Sequence, residues 1–191
     1  MDKPVVLIGA STGGTAALEI ILRDMPSDSP PIMIAQHMPP RFTMLFAERV
    51  NKLFAVSARE ARDGDEPRPG LALVAPGGYD MTVARSGGRF AARLRKSPAS
   101  PSPSADVLFF SAAEALGADA VGVILTGMGR DGAKGLLAMR RSGARTLGQD
   151  EATSVVYGMP RAAFAVGAVE KQIPIGGMAK AILSAVNTNP I

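Results

Sequence analysis

The sequence predicts an α/β protein with a doubly wound, mostly parallel sheet, helices on both faces, and an antiparallel hairpin region in the middle of the chain. At both ends of the chain, short apolar runs rich in β-branched residues alternate with amphipathic stretches at helical spacing. The central part, Ser57 to Lys96, instead has short strand-like pieces separated by glycine-containing turns. No fixed-period repeat and no linker divides the chain, so we expect residues 1–191 to form a single domain.

The first quarter of the chain predicts two strands that alternate with two helices. Val5 to Ala10 is short, apolar and β-branched, which is typical of a buried parallel strand, and Thr15 to Leu22 continues as a helix. Pro31 to Ala35 has the same character as the first strand, and Arg41 to Leu53 is amphipathic with helical spacing. This βαβα order predicts a parallel sheet that is covered on both faces.

The middle of the chain predicts a different kind of structure. The pieces LALVA, YDMTVA and RFAARLR, which begin at Leu71, Tyr79 and Arg89, suit antiparallel hairpins with glycine in the turns. The segment from Ser97 to Ser104 reads SPASPSPS and is expected to be an exposed, partly extended loop. Ser104 is placed to cap a helix over Ala105 to Leu116.

The last third returns to the α/β pattern. Ala120 to Leu125 predicts a third buried strand, followed by a glycine-rich turn over residues 126–132 and a helix from Lys134 to Arg141. The remaining predicted elements are a strand at Arg145 to Gln149, a short helix at Pro160 to Ala165, a strand at Ala168 to Gln172 and a helix at Met178 to Val186.

Composition excludes several classes of site. The chain has no cysteine and one histidine, His37, so disulfides, thiolate metal sites and zinc sites built on several histidines are excluded, and we expect no metal and no cofactor. The absence of cysteine also favours a cytoplasmic protein. No apolar run reaches the roughly 18 residues of a membrane span, and the start of the chain lacks the features of a signal peptide.

The charge balance indicates a mildly basic protein. Lys and Arg number 21 against 17 Asp and Glu, which gives a formal net charge of +4 at pH 7. Because aromatic residues make up only 5% of the chain and tryptophan is absent, we do not expect a nucleic-acid-binding surface. The positive charge is compatible with steering toward an acidic partner.

Each of the three most apolar predicted strands is followed by a polar side chain of catalytic type. Ser11 follows the first strand, His37 the second, and Asp131 lies in the turn after the third. The carboxyl ends of parallel strands meet at one edge of a sheet, where ligands bind, so these residues could come together there. Serine, histidine and aspartate together form a nucleophilic relay, in which Ser11 attacks a carbonyl, His37 moves the proton and Asp131 orients the imidazole.

The residues around Ser11 support this interpretation. Residues 9–13 match G-x-S-x-G, the sharp strand-to-helix turn that exposes a nucleophile. The N–H of Thr12 then lies at a helix N-terminus and is a natural donor to an oxyanion, and the glycine-rich turn around Met128 could supply a second donor. Each feature also has a structural interpretation: tight packing for the glycines, a satisfied strand-end histidine, and a helix cap for Asp131.

A dinucleotide-binding protein is an alternative of another class. The strand, the turn and the residues Gly9 and Gly14 are similar to the G-x-G-x-x-G pattern. However, Ser11 occupies the position of the middle glycine, and the second strand ends in Ala35-Gln36-His37 without an acidic residue for the ribose.

Five motifs occur in the order and at the spacing found in the chemotaxis protein-glutamate methylesterase family, CheB, which the chain resembles over almost its whole length. They are IGASTGG, AQHMPPRFT, VAPGGYDM, VGVILTGMGRDGAKGLLAM and GQDEATSVVYGMPRAA. The resemblance implies hydrolysis of glutamate γ-methyl esters on methyl-accepting chemotaxis receptors, with release of methanol, and deamidation of some receptor glutamines. It implies Ser11 as nucleophile, His37 as base and Asp131 as orienting acid, with Thr12 and Met128 lining the site through their N–H groups.

Two features differ from the family pattern. The full-length family form has an N-terminal phosphate-receiver domain, which we expect to be absent from these 191 residues. The chain is then either an excised catalytic domain or a stand-alone esterase that is regulated in another way, for example by a separate regulatory or receiver protein. The stretch SPASPSPSAD stands where the family often has basic or histidine-bearing residues, which puts the choice of partner in question. A receptor-docking adaptor of the same fold without catalysis is the remaining alternative.

Overall fold

The structure, a computed structural model that describes residues 4–98 and 101–187, is built around a seven-stranded sheet whose strand pairs are all parallel. Its strands are β1 (Val5–Ala10), β2 (Ile32–Gln36), β3 (Ser57–Glu60), β4 (Leu71–Val74), β7 (Ala120–Ile124), β8 (Arg145–Gln149) and β9 (Lys171–Ile173), in the spatial order β3-β4-β2-β1-β7-β8-β9. A separate antiparallel hairpin consists of β5 (Tyr79–Ser86) and β6 (Arg89–Lys96).

In the part of the chain that the structure describes, six α-helices cover both faces of the sheet, which confirms the predicted fold class. They are α1 (Gly14–Arg23), α2 (Phe42–Leu53), α3 (Ala105–Ala115), α4 (Ala133–Arg141), α5 (Met159–Ala165) and α6 (Ile175–Asn187). Helices α1, α2 and α6 share one hydrophobic core, whereas α3, α4, α5 and the hairpin share the other. Strand β1 serves both cores, because Val6 and Ile8 face the first and Val5 and Leu7 face the second.

The prediction for the piece LALVA was wrong. Residues Leu71–Val74 do not form a hairpin but are β4, a parallel strand of the main sheet between β2 and β3. All four residues are buried, because the strand is covered on both faces, and such strands are apolar without alternation. The other two pieces do form the predicted hairpin.

The bounds of one predicted strand changed, and one predicted loop is described only in part. The strand expected at Ala168 to Gln172 is shorter and begins at Lys171, since the N–H of Ala168 instead donates to the carbonyl of Ala163 at the end of α5. Of the predicted loop from Ser97 to Ser104, residues 99 and 100 lie outside the described residues, as do residues 1–3. Ser104 caps α3 as expected, through a hydrogen bond from the N–H of Val107.

The order of the strands places the ends of β1, β2 and β7 side by side. Strand β1 pairs with β2 on one side and with β7 on the other, so the connections after β1 and β7 leave the sheet at its topological switch point. Backbone hydrogen bonds extend these pairings beyond the strands: the N–H of Ser11 donates to Thr126, and the N–H of His37 donates to Ala10. Polar residues from three distant parts of the chain therefore share one edge.

Helix α3 lies close to this edge because β1 has glycine at position 9. A Cβ atom on Gly9 would lie 2.7 Å from the Cβ of Ala105 and 3.1 Å from the Cζ of Phe109, so no side chain fits there. The close approach brings the first turn of α3 to the carboxyl end of β1.

We predict that Gly9→Ala destabilises the fold by about 1–3 kcal/mol, because the added methyl group overpacks the contact between β1 and α3. Gly176→Ala is the matched control, since a Cβ there, in α6, meets no atom within 4 Å and is expected to stabilise the fold by about 0.4–1 kcal/mol. Urea denaturation followed by circular dichroism measures both changes. Equal stability of the two variants would contradict this account of the glycine.

Candidate active site

Ser11 lies in the turn between β1 and α1, with its backbone held on both sides. Its N–H donates to the carbonyl of Thr126 at 3.0 Å, and its carbonyl accepts from the N–H of Gly14 at 2.7 Å. Within the described residues, the Oγ atom of Ser11 forms no hydrogen bond, and the residue is partly exposed. The main chain of Ser11 is therefore fixed while its hydroxyl is available.

His37 and Asp131 are directly paired. The Nε2 atom of His37 lies 2.7 Å from Oδ2 of Asp131, and the side chains are 6% and 21% exposed, respectively. The two residues are 94 positions apart in the chain, and they meet because β2 and β7 both flank β1. The structure thus joins two of the three residues that the sequence predicts at this edge.

The Asp131 carboxylate also receives three hydrogen bonds from the start of α3. Its Oδ2 accepts the N–H of Ala105 at 2.7 Å, while Oδ1 accepts the N–H of Asp106 at 3.0 Å and the hydroxyl of Ser104 at 2.9 Å. Two of these donors are unpaired N–H groups of a helix N-terminus, which favours negative charge, and the third is the hydroxyl of the N-cap residue Ser104. Asp131 is a cap, as one interpretation of the sequence suggested, but of α3 rather than of the helix that follows it.

These contacts set the charge of Asp131 and the tautomer of His37. Burial alone would raise the pKa of Asp131, but the hydrogen bonds from His37 and from the N–H groups of Asp106 and Ala105 outweigh it and hold the pKa below its ordinary value. An ionised carboxylate only accepts hydrogen bonds, so the proton of a neutral imidazole lies on Nε2. The Nδ1 atom then carries the lone pair.

The Nδ1 atom of His37 is buried and has no hydrogen-bond partner among the described residues. A hydrogen bond between Ser11 and His37 is likewise not formed in the part of the chain that the structure describes. Of the predicted relay, the described residues therefore show the histidine–aspartate pair, whereas the serine hydroxyl is not joined to it. Catalytic hydrogen bonds are often long without substrate and tighten in the complex.

Asp106 extends this network to α4 in a reciprocal way. Its Oδ1 accepts the N–H of Gly135 at 2.7 Å in the first turn of α4, while Asp131, just before α4, caps α3. Burial raises the pKa of Asp106 above its ordinary value, the N–H of Gly135 opposes this, and the negative charge of Asp131 adds to it. The two carboxylates thus link the starts of α3 and α4, with pKa shifts of opposite sign.

Two backbone N–H groups near Ser11 are free to bind a ligand. Within the described residues, neither Thr12 nor Met128 donates its N–H to a backbone or side-chain acceptor. The turn that carries Met128 lies against the serine, since a Cβ on Gly127 would lie 2.6 Å from the Cβ of Ser11. The side chain of Met128 is 75% exposed, so it forms part of the rim of the site.

Two buried glutamines, which the sequence motifs did not identify as part of the site, hold its loops. Gln36, 2% exposed, donates from Nε2 to the carbonyls of Ser11 at 2.9 Å and His37 at 3.2 Å. Gln149, 1% exposed, accepts the N–H of Thr126 at 2.8 Å and donates to the carbonyl of Thr153. Both lie at the last position of a buried strand, and a polar residue at such a position is the signal that could have identified them.

The histidine–aspartate pair lies between two clefts. His37 lines a cleft of about 350 Å³ with Met38 and residues 39–40, 78 and 101–102, and no Lys, Arg, Asp or Glu is among its lining residues. Asp131 lines a larger cleft of about 690 Å³ on the other side. Each member of the pair thus lines a surface cleft, and the two clefts have no lining residue in common.

Neither a metal site nor a membrane span is found in residues 4–98 and 101–187. No three acidic or histidine side chains in this part of the chain are grouped as ligands for a metal ion. No helix there is long and apolar enough to cross a bilayer.

Comparisons with known proteins agree in one family. The family model described as CheB methylesterase matches residues 6–182. Proteins named protein-glutamate methylesterase/protein-glutamine glutaminase are 53% identical over 186 residues in Bordetella bronchiseptica and 50% identical over 187 residues in Syntrophus aciditrophicus. These alignments cover 96% and 97% of this chain, but 53% and 54% of the relatives, so the chain spans about half the length of the curated relatives it matches.

A solved structure is similar over nearly all of both chains. The crystal structure of the Thermotoga maritima CheB methylesterase catalytic domain matches with a TM-score of 0.92 and 34% sequence identity. The match covers 96% of this chain and 98% of that one. The described sheet and hairpin therefore correspond to a fold seen by experiment.

We predict that Asp131→Asn lowers the free energy of unfolding at neutral pH and that this loss shrinks below about pH 4. The lowered pKa means that ionised Asp131 stabilises the fold above its unfolded-state value, and this contribution is lost as the pH falls through the folded-state pKa. Asp106→Asn is the matched comparison, because its raised pKa makes the native protein lose stability relative to that variant as the pH rises from the unfolded-state pKa, about 4, through the folded-state pKa. Urea denaturation between about pH 3 and 7 measures both. If the difference in unfolding free energy from the native protein varied with pH in the same way for both variants, the opposite pKa shifts of Asp131 and Asp106 would be refuted.

We also predict that Gln36→Leu destabilises the protein by about 1–3 kcal/mol, since it leaves the carbonyls of Ser11 and His37 without the side-chain donor. Leucine keeps a similar volume, so a cavity contributes little. The midpoint of urea denaturation measures the change. An unchanged midpoint would show that these carbonyls do not need the amide.

Proposed function

Because the chain belongs to the CheB methylesterase family, we propose that it is a serine hydrolase that demethylates glutamate γ-methyl esters on methyl-accepting chemotaxis receptors and deamidates some of their glutamines. The observation that carries this proposal is the pairing of His37 Nε2 with Asp131 Oδ2 at the edge where Ser11 leaves the sheet. The names of the relatives, which state both activities, support it. We assign the activity to residues 1–191 as one catalytic unit, consistent with the match to a catalytic domain.

Ser11 is the proposed nucleophile and His37 the proposed base. The free Nδ1 of His37 accepts the proton of the Ser11 hydroxyl as Oγ attacks the ester carbonyl. Asp131 keeps the other ring proton on Nε2 and stabilises the imidazolium that forms. The use of Nδ1 toward the serine follows from the engagement of Nε2 by the carboxylate.

Thr12 and Met128 are the proposed donors to the oxyanion. Their N–H groups are without other acceptors among the described residues and flank Ser11, one from the turn before α1 and one from the turn after β7. Preorganised donors of this kind stabilise the tetrahedral intermediate without reorganisation, and loss of one typically costs about 2.7–4 kcal/mol in the barrier.

The proposed reaction completes in two further steps. Protonated His37 transfers its proton to the methoxide oxygen, methanol leaves, and an acyl-enzyme ester remains on Ser11. His37 then accepts a proton from water, whose oxygen attacks the acyl carbon and releases the glutamate carboxyl group together with the Ser11 hydroxyl. The same steps on glutamine release ammonia instead of methanol.

The partner, the compartment and the regulation form part of the proposal. The proposed substrate is the cytoplasmic helical region of a receptor, which needs an accessible surface around the reacting groups. The clefts beside His37 and Asp131 provide such a surface. A cytoplasmic location fits the cysteine-free sequence. Control by a receiver domain or a separate regulatory protein is consistent with relatives about twice as long as this chain.

We predict that Ser11→Ala abolishes methanol release from a methylated receptor, with a loss of up to about 10⁶-fold in rate. The fold should be unaffected, because the Oγ atom of Ser11 forms no hydrogen bond among the described residues. Gas chromatography of released methanol measures the activity, and urea denaturation confirms the unchanged stability.

Ser27→Ala is a control, since this exposed serine lies in the loop before β2, away from the carboxyl ends of the strands. Activity of Ser11→Ala within about tenfold of the native protein would refute the nucleophile, because loss of a true nucleophile costs far more. If the native protein binds methylated receptor but releases no methanol, the alternative function, a receptor-docking adaptor without catalysis, is the correct one.

A further inference from the structure

The larger cleft beside the histidine–aspartate pair is lined by three basic side chains. Arg130, Lys134 and Arg161 line this cleft of about 690 Å³ together with Asp131. All three basic residues are exposed, and none forms a hydrogen bond or ion pair within residues 4–98 and 101–187. Elsewhere on the surface, exposed arginines such as Arg49 and Arg89 form ion pairs with glutamates.

The carboxylates of the cleft are already engaged. The oxygens of Asp131 accept four hydrogen bonds, and Oδ1 of Asp106, the other acidic residue of the lining, accepts the N–H of Gly135. Their charges are therefore offset by helix N-termini and by His37. The three basic side chains remain available to an external anion.

Basic side chains continue beyond the site next to the cleft that Asp131 lines, but they do not line the cleft that His37 lines. A groove of about 560 Å³ adjoins the cleft through Lys134 and Val166, and it adds Arg141 and the exposed Phe110. The cleft that His37 lines contains no Lys, Arg, Asp or Glu. A bound polypeptide would thus meet cations on the Asp131 side and an uncharged surface on the His37 side.

We propose that the cleft lined by Arg130, Lys134 and Arg161 binds acidic side chains of the polypeptide segment that carries the reacting glutamate, and so selects and orients substrates with carboxylates on one side of the ester. This role rests on the proposed function. The reaction itself turns a neutral ester or amide into a carboxylate, so a segment with several such glutamates gains the charges that the cleft binds. Charge complementarity of this kind acts on encounter and orientation and weakens with salt.

The test uses two synthetic peptides that differ only in flanking charge. Each carries one glutamate γ-methyl ester, with glutamates in one peptide and glutamines in the other at the flanking positions. The double variant Lys134→Glu and Arg161→Glu is compared with Lys52→Glu and Arg68→Glu, which has the same net charge but is changed at the opposite, amino-terminal edge of the sheet. Both pairs of residues are exposed, so neither variant is expected to disturb the core.

We expect the cleft variant to lower kcat/KM for the acidic peptide by about tenfold or more at low salt, mainly through KM, and the difference to shrink at about 0.5 M salt. Methanol release from the glutamine peptide should change by no more than about twofold, and the control variant should behave as the native protein does. An equal loss on both peptides, or none on the acidic one, would overturn the proposal.

A binding measurement separates this proposal from the proposed chemistry. Fluorescence anisotropy with Ser11→Ala as the host protein should show tighter binding of the acidic peptide, and the added cleft substitutions should remove that preference. This result is expected whether or not the native protein releases methanol. Equal affinity of Ser11→Ala for both peptides would refute the acidic subsite, whereas failure of methanol release alone would refute the esterase.

Discussion

The Asp131 carboxylate is the point on which the site depends. A buried negative charge is costly unless its oxygens are satisfied, and here four donors satisfy them: the imidazole of His37, the hydroxyl of Ser104 and two N–H groups at the start of α3. The carboxylate therefore stays ionised, and the ionised carboxylate determines the tautomer of the histidine. The ionised state of Asp131, the position of the start of α3 and the orientation of the His37 imidazole therefore all depend on the same set of hydrogen bonds.

The surrounding fold keeps this arrangement in place from several directions. Helix α3 reaches the carboxylate because Gly9 allows it to lie close against β1. Asp106 ties the start of α4 to the start of α3, so Asp131, which precedes α4, cannot shift without disturbing both helices. Gln36 joins the carbonyls of the serine and histidine residues where strands β1 and β2 end. Preorganisation of a catalytic site comes from such supporting contacts as much as from the reacting groups.

The open form of the site is consistent with a macromolecular substrate. Clefts lie on both sides of the histidine–aspartate pair, and the Met128 side chain forms an exposed rim rather than a closed wall. An ester on a protein surface can reach a shallow site of this kind without a deep pocket. Because the two clefts differ in charge, they offer different surfaces to a bound segment, which two clefts of equal charge would not do.

The sequence by itself determined the parts of this protein that follow from local pattern. Apolar runs and helical spacing identified most of the strands and helices, and the polar residues after three buried strands marked Ser11, His37 and Asp131. The position of each strand within the sheet could not be predicted from that pattern. Leu71–Val74 belongs to the parallel sheet because both of its faces are covered, and burial on both faces depends on elements far away in the chain.

Only the tertiary structure decided which groups meet. The capping of α3 by Asp131, the choice of Nε2 rather than Nδ1 for the carboxylate, and the engagement of Gln36 and Gln149 all join residues that are 23 to 94 positions apart. A hydrogen bond requires its two atoms to lie within about 3 Å, and the packing of helices on the sheet alone sets such distances. For this reason the residue types of the site could be read from the chain, whereas its hydrogen-bond geometry could not.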